Sequence, residues 1–441
     1  MKNKMAKALI LVLAIAFSFT LFTACSTPGD ANNGGTQNYS KGLAYAANED
    51  GKTCTISGIG TCKDTKVVIP ETVEGYTVTS IGEFAFSSCI ELESVVIPDS
   101  VISIGDYALS ACIELESVVI PDSVTSIGEF AFRSCYSLTS VVIGNSVTSI
   151  GYAAFSDCTV LKSVKIGESV QSIGYYAFSN CAFETIVIPD SVTQIYGGAF
   201  SVNENLKEIS VSPNNLNYCT VDGNLYTKDK KYLVQYLISS TAKSFVIPST
   251  VTRIETAAFK GCKALESIEI PDTVTYIGAY AFMDCENLKY NIDSNKNKYL
   301  GNPNNPYLYF IESSSKTITS TTIDVHCKYI ATNAFRNCDS LKSVVIPDSV
   351  ISIGDYAFSA CTALTSIIIP DSVTSIGDYA FMSCYKLMST VIPDSVTHMG
   401  KDVFLGCIYV TVIKCEHESQ PSGWDENWNK SNKTVVWGYK A

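Results

Sequence analysis

With 441 residues, 46% of them apolar and 17% charged, the chain is too long for one ordinary globular core and too apolar for a disordered one. That leaves several domains or one extended array. A net charge of −12 excludes the basic face that nucleic acid or a polybasic membrane contact requires, so no nucleic-acid partner is expected.

The chain opens like an export signal. Lys2, Lys4 and Lys7 flank the start of an apolar run, 8–22, shorter than the roughly 20 residues that span a bilayer. The run ends in LFTAC, and Cys25 begins a polar stretch rich in Gly, Asn and Thr. Small residues just before a cysteine at this place resemble a bacterial lipobox, whose cysteine is acylated and becomes the new N-terminus; Phe22 stands where leucine is preferred. The reading is a lipoprotein signal peptide over 1–24, lipidation at Cys25 and a flexible tether over 25–50, with the lipid as the membrane contact. Cleavage after Ala24 without acylation and an uncleaved anchor are the alternatives. Residues 51–66 then read as an N-terminal hairpin cap. It carries Cys54 and Cys62, a candidate disulfide in an exported domain.

From residue 67 to 407 one sentence recurs: C-x-x-L-x-S-V-x-I-P-D-S-V-T-S-I-G-x-x-A-F-x-x-C. Its cysteines fall at 89, 112, 135, 158 and 181, at 262 and 285, and at 338, 361, 384 and 407, always 23 residues from the next in each run. A fixed period of this length predicts a solenoid. Within a repeat, Val95 and Ile97 alternate with Ser94 and Val96, which predicts a short strand with one buried and one outward face. Pro98 ends the strand and Asp99-Ser100 supply turn chemistry. Val101, Ile104, Ala108 and Leu109 have nearly helical spacing and should dip back into the core. The motif resembles the BspA-like, or Treponema pallidum-type, leucine-rich repeats, and the resemblance covers roughly 51–441. It implies a repeat solenoid, a horseshoe or arc with short parallel strands on one face and turns or short helical segments on the other. It also implies a cell-surface or secreted bacterial protein, with adhesion to host matrix, host cells or other microbes as the role.

Two segments break the period. The first, 212–244, has alternating apolar residues and turns at Asp222-Gly223 and Lys228-Asp229, which predict a β-hairpin leaving the solenoid. The second is 289–328. Residues 408–441, with Trp424 and Trp428, read as a C-terminal cap over the last core edge.

Chemistry is sparse. The repeat-position cysteines behave as a small buried hydrophobe filling one niche per turn, without the close Cys/His pairs of zinc sites. The aspartates after the prolines are turn residues, lacking the glycine-rich motif of calcium-binding rolls. His326, His398 and His417 have no partner pattern, so no catalytic residue, cofactor or metal is expected. The expected binding surface is the outward strand face: Ser94 and Val96, Ser117 and Val119, Ser140 and Val142, then Lys165, Val187, Glu269, Val345 and Ile368. Two explanations of the valines stand side by side, recognition of a partner and strand propensity alone. The partners expected are host matrix or cell-surface proteins bound by a monomer. The alternative is surface glycans or an envelope scaffold, with Tyr307, Tyr309, Trp424 and Trp428 as stacking candidates.

Overall fold

The computed structural model describes residues 39–440. Residues 40–440 form one stacked array with no helix among the described residues. The segment read as a signal peptide, and Cys25 after it, lie outside the described residues.

Most repeats contribute a strand of three or four residues, and these stack parallel in register; near the far end the strand shrinks to an isolated bridge at Ser366 and to Val391–Ile392. Lys66–Val68, Ser94–Val96, Ser117–Ile120, Ser140–Ile143 and Ser163–Lys165 make a five-stranded run, with Ser94, Ser117, Ser140 and Ser163 side by side. The alternation works as expected: Val95, Val118 and Val141 are buried while Val96 and Val119 face out. Shorter runs continue this first ladder at Thr185–Ile188 with Glu208–Val211, Ser244–Val246 with Ser267–Glu269, and Ser320–Thr322 with Ser343–Val345.

The other side of each turn is not helical. The segment after the proline forms a second parallel ladder of two-residue strands, Ser103–Ile104, Ser126–Ile127, Ser149–Ile150 and Ser172–Ile173, which extends to Gln194–Ile195. The isoleucines point inward and the serines outward. The helix-like spacing of Val101, Ile104, Ala108 and Leu109 therefore reflects inward residues of a strand and a corner. Gly105, Gly128, Gly151 and Gly174 follow the first four isoleucines and set the distance between those turns, while Tyr196 follows Ile195. A Cβ on Gly128 would stand 2.6 Å from the Asp106 nitrogen and the Gly105 carbonyl carbon of the preceding turn, so that position accepts only a hydrogen.

The corner that follows, A-F-x-x-C, holds the core together. Phe132, Phe155 and Phe178 stack with ring centroids 5.0 and 5.3 Å apart and planes within 3° of parallel. The cysteine thiols reach carbonyls one turn back: Cys112 Sγ donates to Phe86 O at 3.1 Å, Cys158 to Phe132 O at 3.2 Å and Cys407 to Phe381 O at 3.0 Å. Burial pushes the thiols of Cys112, Cys135 and Cys158 up, which leaves them inert. A small side chain with a weak donor suits this niche better than alanine or valine. The turn aspartates do turn work: Asp122 Oδ1 accepts the Asn145 N–H at 2.6 Å, and Asn145 repeats this toward Glu168 at 3.3 Å.

The array begins earlier than expected. Ala44–Ala47, inside the anticipated tether, pairs antiparallel with Thr53–Gly58, and that strand joins the second ladder through Tyr76–Ile81. Cys54 and Cys62 are buried, separate thiols, so the bridge anticipated between them is not formed here. Neither insertion leaves the solenoid. In the first, Tyr218–Val221, Asn224–Thr227 and Tyr232–Gln235 form an antiparallel meander whose last strand pairs parallel with Arg253–Ile254. In the second, Asn291–Ile292, Lys298–Leu300 and Tyr309–Glu312 do the same against Tyr329–Ile330. Each insertion thus takes the place of part of a turn in the second ladder. At the far end Trp424 and Trp428 meet edge to face at 4.9 Å, and Trp424 Nε1 donates to Val396 O at 2.9 Å.

Candidate interaction surface

The residues free to meet a partner are those the two ladders turn outward. On the first ladder the valine rank is open: Val96, Val119, Val187 and Val345 are 45–57% exposed and Ile368 is 82% exposed. Val142 is half-buried between Val119 and Lys165, its register neighbours. Ser94, Ser117 and Ser140 are half-buried, while Lys165 and Glu269 are exposed. The structure adds Val246, 61% exposed and paired with Glu269, to the same rank. Parallel pairing brings Ser94, Ser117 and Ser140 into one row and Val119, Val142 and Lys165 into another, whereas Val187, Glu269 and Val345 stand beside Ser210, Val246 and Thr322 in separate two-stranded runs and Ile368 lies outside any strand.

One position before the strands at Thr185–Ile188, Glu208–Val211, Ser244–Val246 and Ser267–Glu269 runs a charged border that the sequence reading passed over. Glu184 meets Lys207 at 2.9 Å, and Glu266 is held between Lys243 at 2.8 Å and Lys289 at 3.1 Å. These exposed pairs add little stability, on the order of 0–1 kcal/mol each. Their effect is a polar rim beside an apolar strip, the arrangement of a protein interface.

The second ladder differs. Its outward rank is Ser103, Ser126, Ser149 and Ser172, but at the centre it becomes Tyr232, Arg253 and Tyr276. The Arg253 guanidinium lies 3.8 Å from the Tyr276 ring centroid and 5.8 Å from that of Tyr232, and its Nε donates to Glu255 Oε1 at 2.7 Å. Tyr276 Oη donates to Asp355 Oδ2 at 3.0 Å across 79 residues of sequence. Burial is the largest influence on Asp355 and pushes its carboxyl up from the usual carboxylate range. This constellation is satisfied internally. Its only sequence signal is the loss of serine from the S-I position.

The aromatic column before each Ala-Phe pair packs from turn to turn, as in Phe84–Tyr107 at 4.7 Å and Tyr107–Phe130 at 4.6 Å. Its residues hold left-handed backbone, with φ of 56° at Phe84 and 54° at Tyr107. The stacking candidates for glycan are mostly withdrawn from the surface. Tyr309, Trp424 and Trp428 are buried, and Tyr307 is half-buried with its ring edge-on to Tyr299 at 5.3 Å.

His326 bonds Asp324 at 2.8 Å, His398 bonds the Thr397 hydroxyl at 3.0 Å and His417 the Val396 carbonyl at 2.9 Å.

Residues 60–151, 125–222, 235–303 and 309–421 match the BspA type leucine rich repeat region, in 6 copies. Among solved structures, the chain is similar to a leucine rich cell surface protein from Faecalibacterium prausnitzii, at 27% identity over 94% of this chain and 99% of that one, TM-score 0.45. It is also similar to the pneumococcal vaccine antigen PcpA, at 19% identity over 92% and 98%, TM-score 0.46. A third similarity is to the T. pallidum leucine rich repeat protein, at 22% identity over 57% and 90%, TM-score 0.32. No curated protein matches the chain.

Proposed function

The chain belongs to the BspA-type leucine-rich-repeat family, and from that premise we propose that it is a lipid-anchored cell-surface protein that adheres to other proteins through the valine rank of its first ladder. The observation that carries the reading is the exposure of Val96, Val119, Val187, Val345 and Ile368 at one repeat position, beside a rim of alternating charge. A strip of β-branched side chains left in water through so many turns favours a protein partner that covers it. Host matrix and host cell-surface proteins are the partners in this reading, and the array serves as scaffold without catalysis.

The test is capture of extracellular-matrix proteins and host-cell surface proteins by the purified chain, compared with the triple variant Val119→Glu, Val142→Glu, Val187→Glu. Carboxylates planted in the centre of a contact lower affinity by about tenfold or more. Unchanged capture by the folded variant would sink the assignment of this face. Anchoring is tested separately: labelled palmitate is incorporated by the native chain and lost on Cys25→Ser. Incorporation that survives the substitution contradicts lipidation at that residue.

A further inference from the structure

Each corner of the array splits its amides into two sets. In the corner at 105–112, Ala108, Ser110 and Cys112 donate back within the corner, while Tyr107, Leu109 and Ala111 donate forward to Glu129 O, Ala131 O and Arg133 O of the next turn at 2.8, 2.7 and 2.7 Å. The same forward triplet is made from the corners that begin at 82, 128, 151, 255, 331, 354 and 377.

Where the second insertion enters, the triplet is open. The corner at 278–285 accepts the amides of Ala257, Phe259 and Gly261 on the carbonyls of Ala279, Ala281 and Met283, each at 2.9 Å. Its own forward amides, on Tyr280, Phe282 and Asp284, therefore face the other way, and none has a hydrogen-bond partner among the described residues. Across the gap stands the corner at 331–338. Its Ala334 carbonyl is taken by the Ser313 amide at 3.4 Å, but the carbonyls of Thr332 and Arg336 accept nothing among the described residues. Between Tyr280 and Phe282 on one side and Thr332 and Arg336 on the other lies a cleft of about 580 Å³, with Ile311 and Ala331 also on its walls and Met283 exposed at its lining; Asp284 continues the donor row outside the lining, and Arg336 Nη1 donates to Tyr280 Oη at 3.0 Å. The corner before the first insertion also lacks forward bonds, but there Gly198 and Ser201, the counterparts of the exposed Tyr280 and Met283, are buried.

A row of free main-chain donors facing free main-chain acceptors is a ladder with one segment missing. We propose that this cleft takes a short stretch of another protein's main chain. Its carbonyls accept from Tyr280, Phe282 and Asp284, and its amides donate to Thr332 and Arg336, as a turn of the array does elsewhere. Backbone addition of this kind gives affinity through main-chain hydrogen bonds and selectivity through the side chains at the mouth. An anion fits less well. Lys316 and Arg336 line the cleft, but so does the Glu312 carboxylate, which lies 3.1 Å from Lys298 and 3.7 Å from Lys316. The site is separate from the valine rank, so its failure and that of the adhesion face are read independently.

The experiment is residue-resolved amide exchange on the full chain. The amides of Tyr280, Phe282 and Asp284 are expected to exchange fast while those of Ala257, Phe259 and Gly261 are protected. The probe is the end-blocked peptide Gly-Asp-Tyr-Ala-Phe-Ser-Ala, copied from 354–360. In the array this segment satisfies Asn333, Phe335 and Asn337 at 3.0, 2.7 and 2.9 Å. At saturation it should slow the three open amides by about tenfold or more, and Met283→Trp, which crowds the mouth, should weaken the peptide about tenfold. Inorganic phosphate should protect none of them. Slow exchange before any addition, no protection by the peptide, equal protection by phosphate, or undiminished peptide affinity in a folded Met283→Trp chain would each overturn the proposal.

Discussion

Gly151→Ala is expected to destabilise the array by about 3 kcal/mol, the upper part of the range for overpacking a filled site. The added Cβ would stand 2.5 Å from the Gly128 carbonyl carbon, 2.6 Å from its oxygen and 2.7 Å from the Glu129 nitrogen. All three are backbone atoms, so no side chain can swing aside. Relief requires the turns to part, which strains the pairing of Ser149 with Ser126 and the bond from Gly151 N to Ile127 O at 2.9 Å. A glycine kept for its backbone angle behaves differently. Gly51 has φ +64°, and a Cβ added there would meet nothing within 4 Å, so Gly51→Ala should cost only about 1 kcal/mol. Urea titrations of the two variants check the contrast, and a Gly151→Ala midpoint equal to that of the native chain would contradict it.

Phe155→Ala should cost about 3–5 kcal/mol, as for a large aromatic removed from a packed interior. Phe155 is fully buried, with Phe132 on one side and Phe178 on the other, both within a few degrees of parallel. Truncation opens a void and removes two ring contacts, each worth about 0.5–1.5 kcal/mol beyond area. Because stability in such arrays is a sum of turns and their interfaces, the loss should be local. Amide exchange should accelerate in the corners that flank 155 before it does near the Trp424 cap. Uniform acceleration along the whole array would argue against this nearest-neighbour picture.

Much of this architecture is legible in the amino-acid order, and the exceptions have physical causes. The S-V-x-I alternation reveals the first ladder because one face of a strand is wet and the other dry. The second ladder hides because two residues, such as Ser103 and Ile104, are too few to show a period of two. Its best trace is the glycine after the isoleucine, whose close approach marks another turn of backbone beside it. In the first insertion Asp222-Gly223 announces a tight turn, yet nothing local says that Tyr232–Gln235 will pair with Arg253–Ile254. That choice is made by the open edge of the next turn. The outward rank Val96, Val119, Val187 was readable from its position alone, whereas Arg253, Tyr276 and Asp355 come together only through stacking. Tyr309 shows the reverse: an aromatic in an irregular segment suggested a stacking platform, but it is buried, whereas Trp424 and Trp428, offered both as cap and as platform, are buried as a cap requires.

The most direct test of the central claim sets the two ladders against each other in one capture assay. Val119, Val142 and Val187 are replaced by glutamate in one chain, and Ser103, Ser126 and Ser149, the outward rank of the second ladder, in another. Both carry the same added charge on the same scaffold. Binding to extracellular-matrix or host-surface protein that falls by about tenfold in the first and holds in the second is the predicted result. Loss in the serine variant with retention in the valine variant would place the contact on the other face and contradict the account.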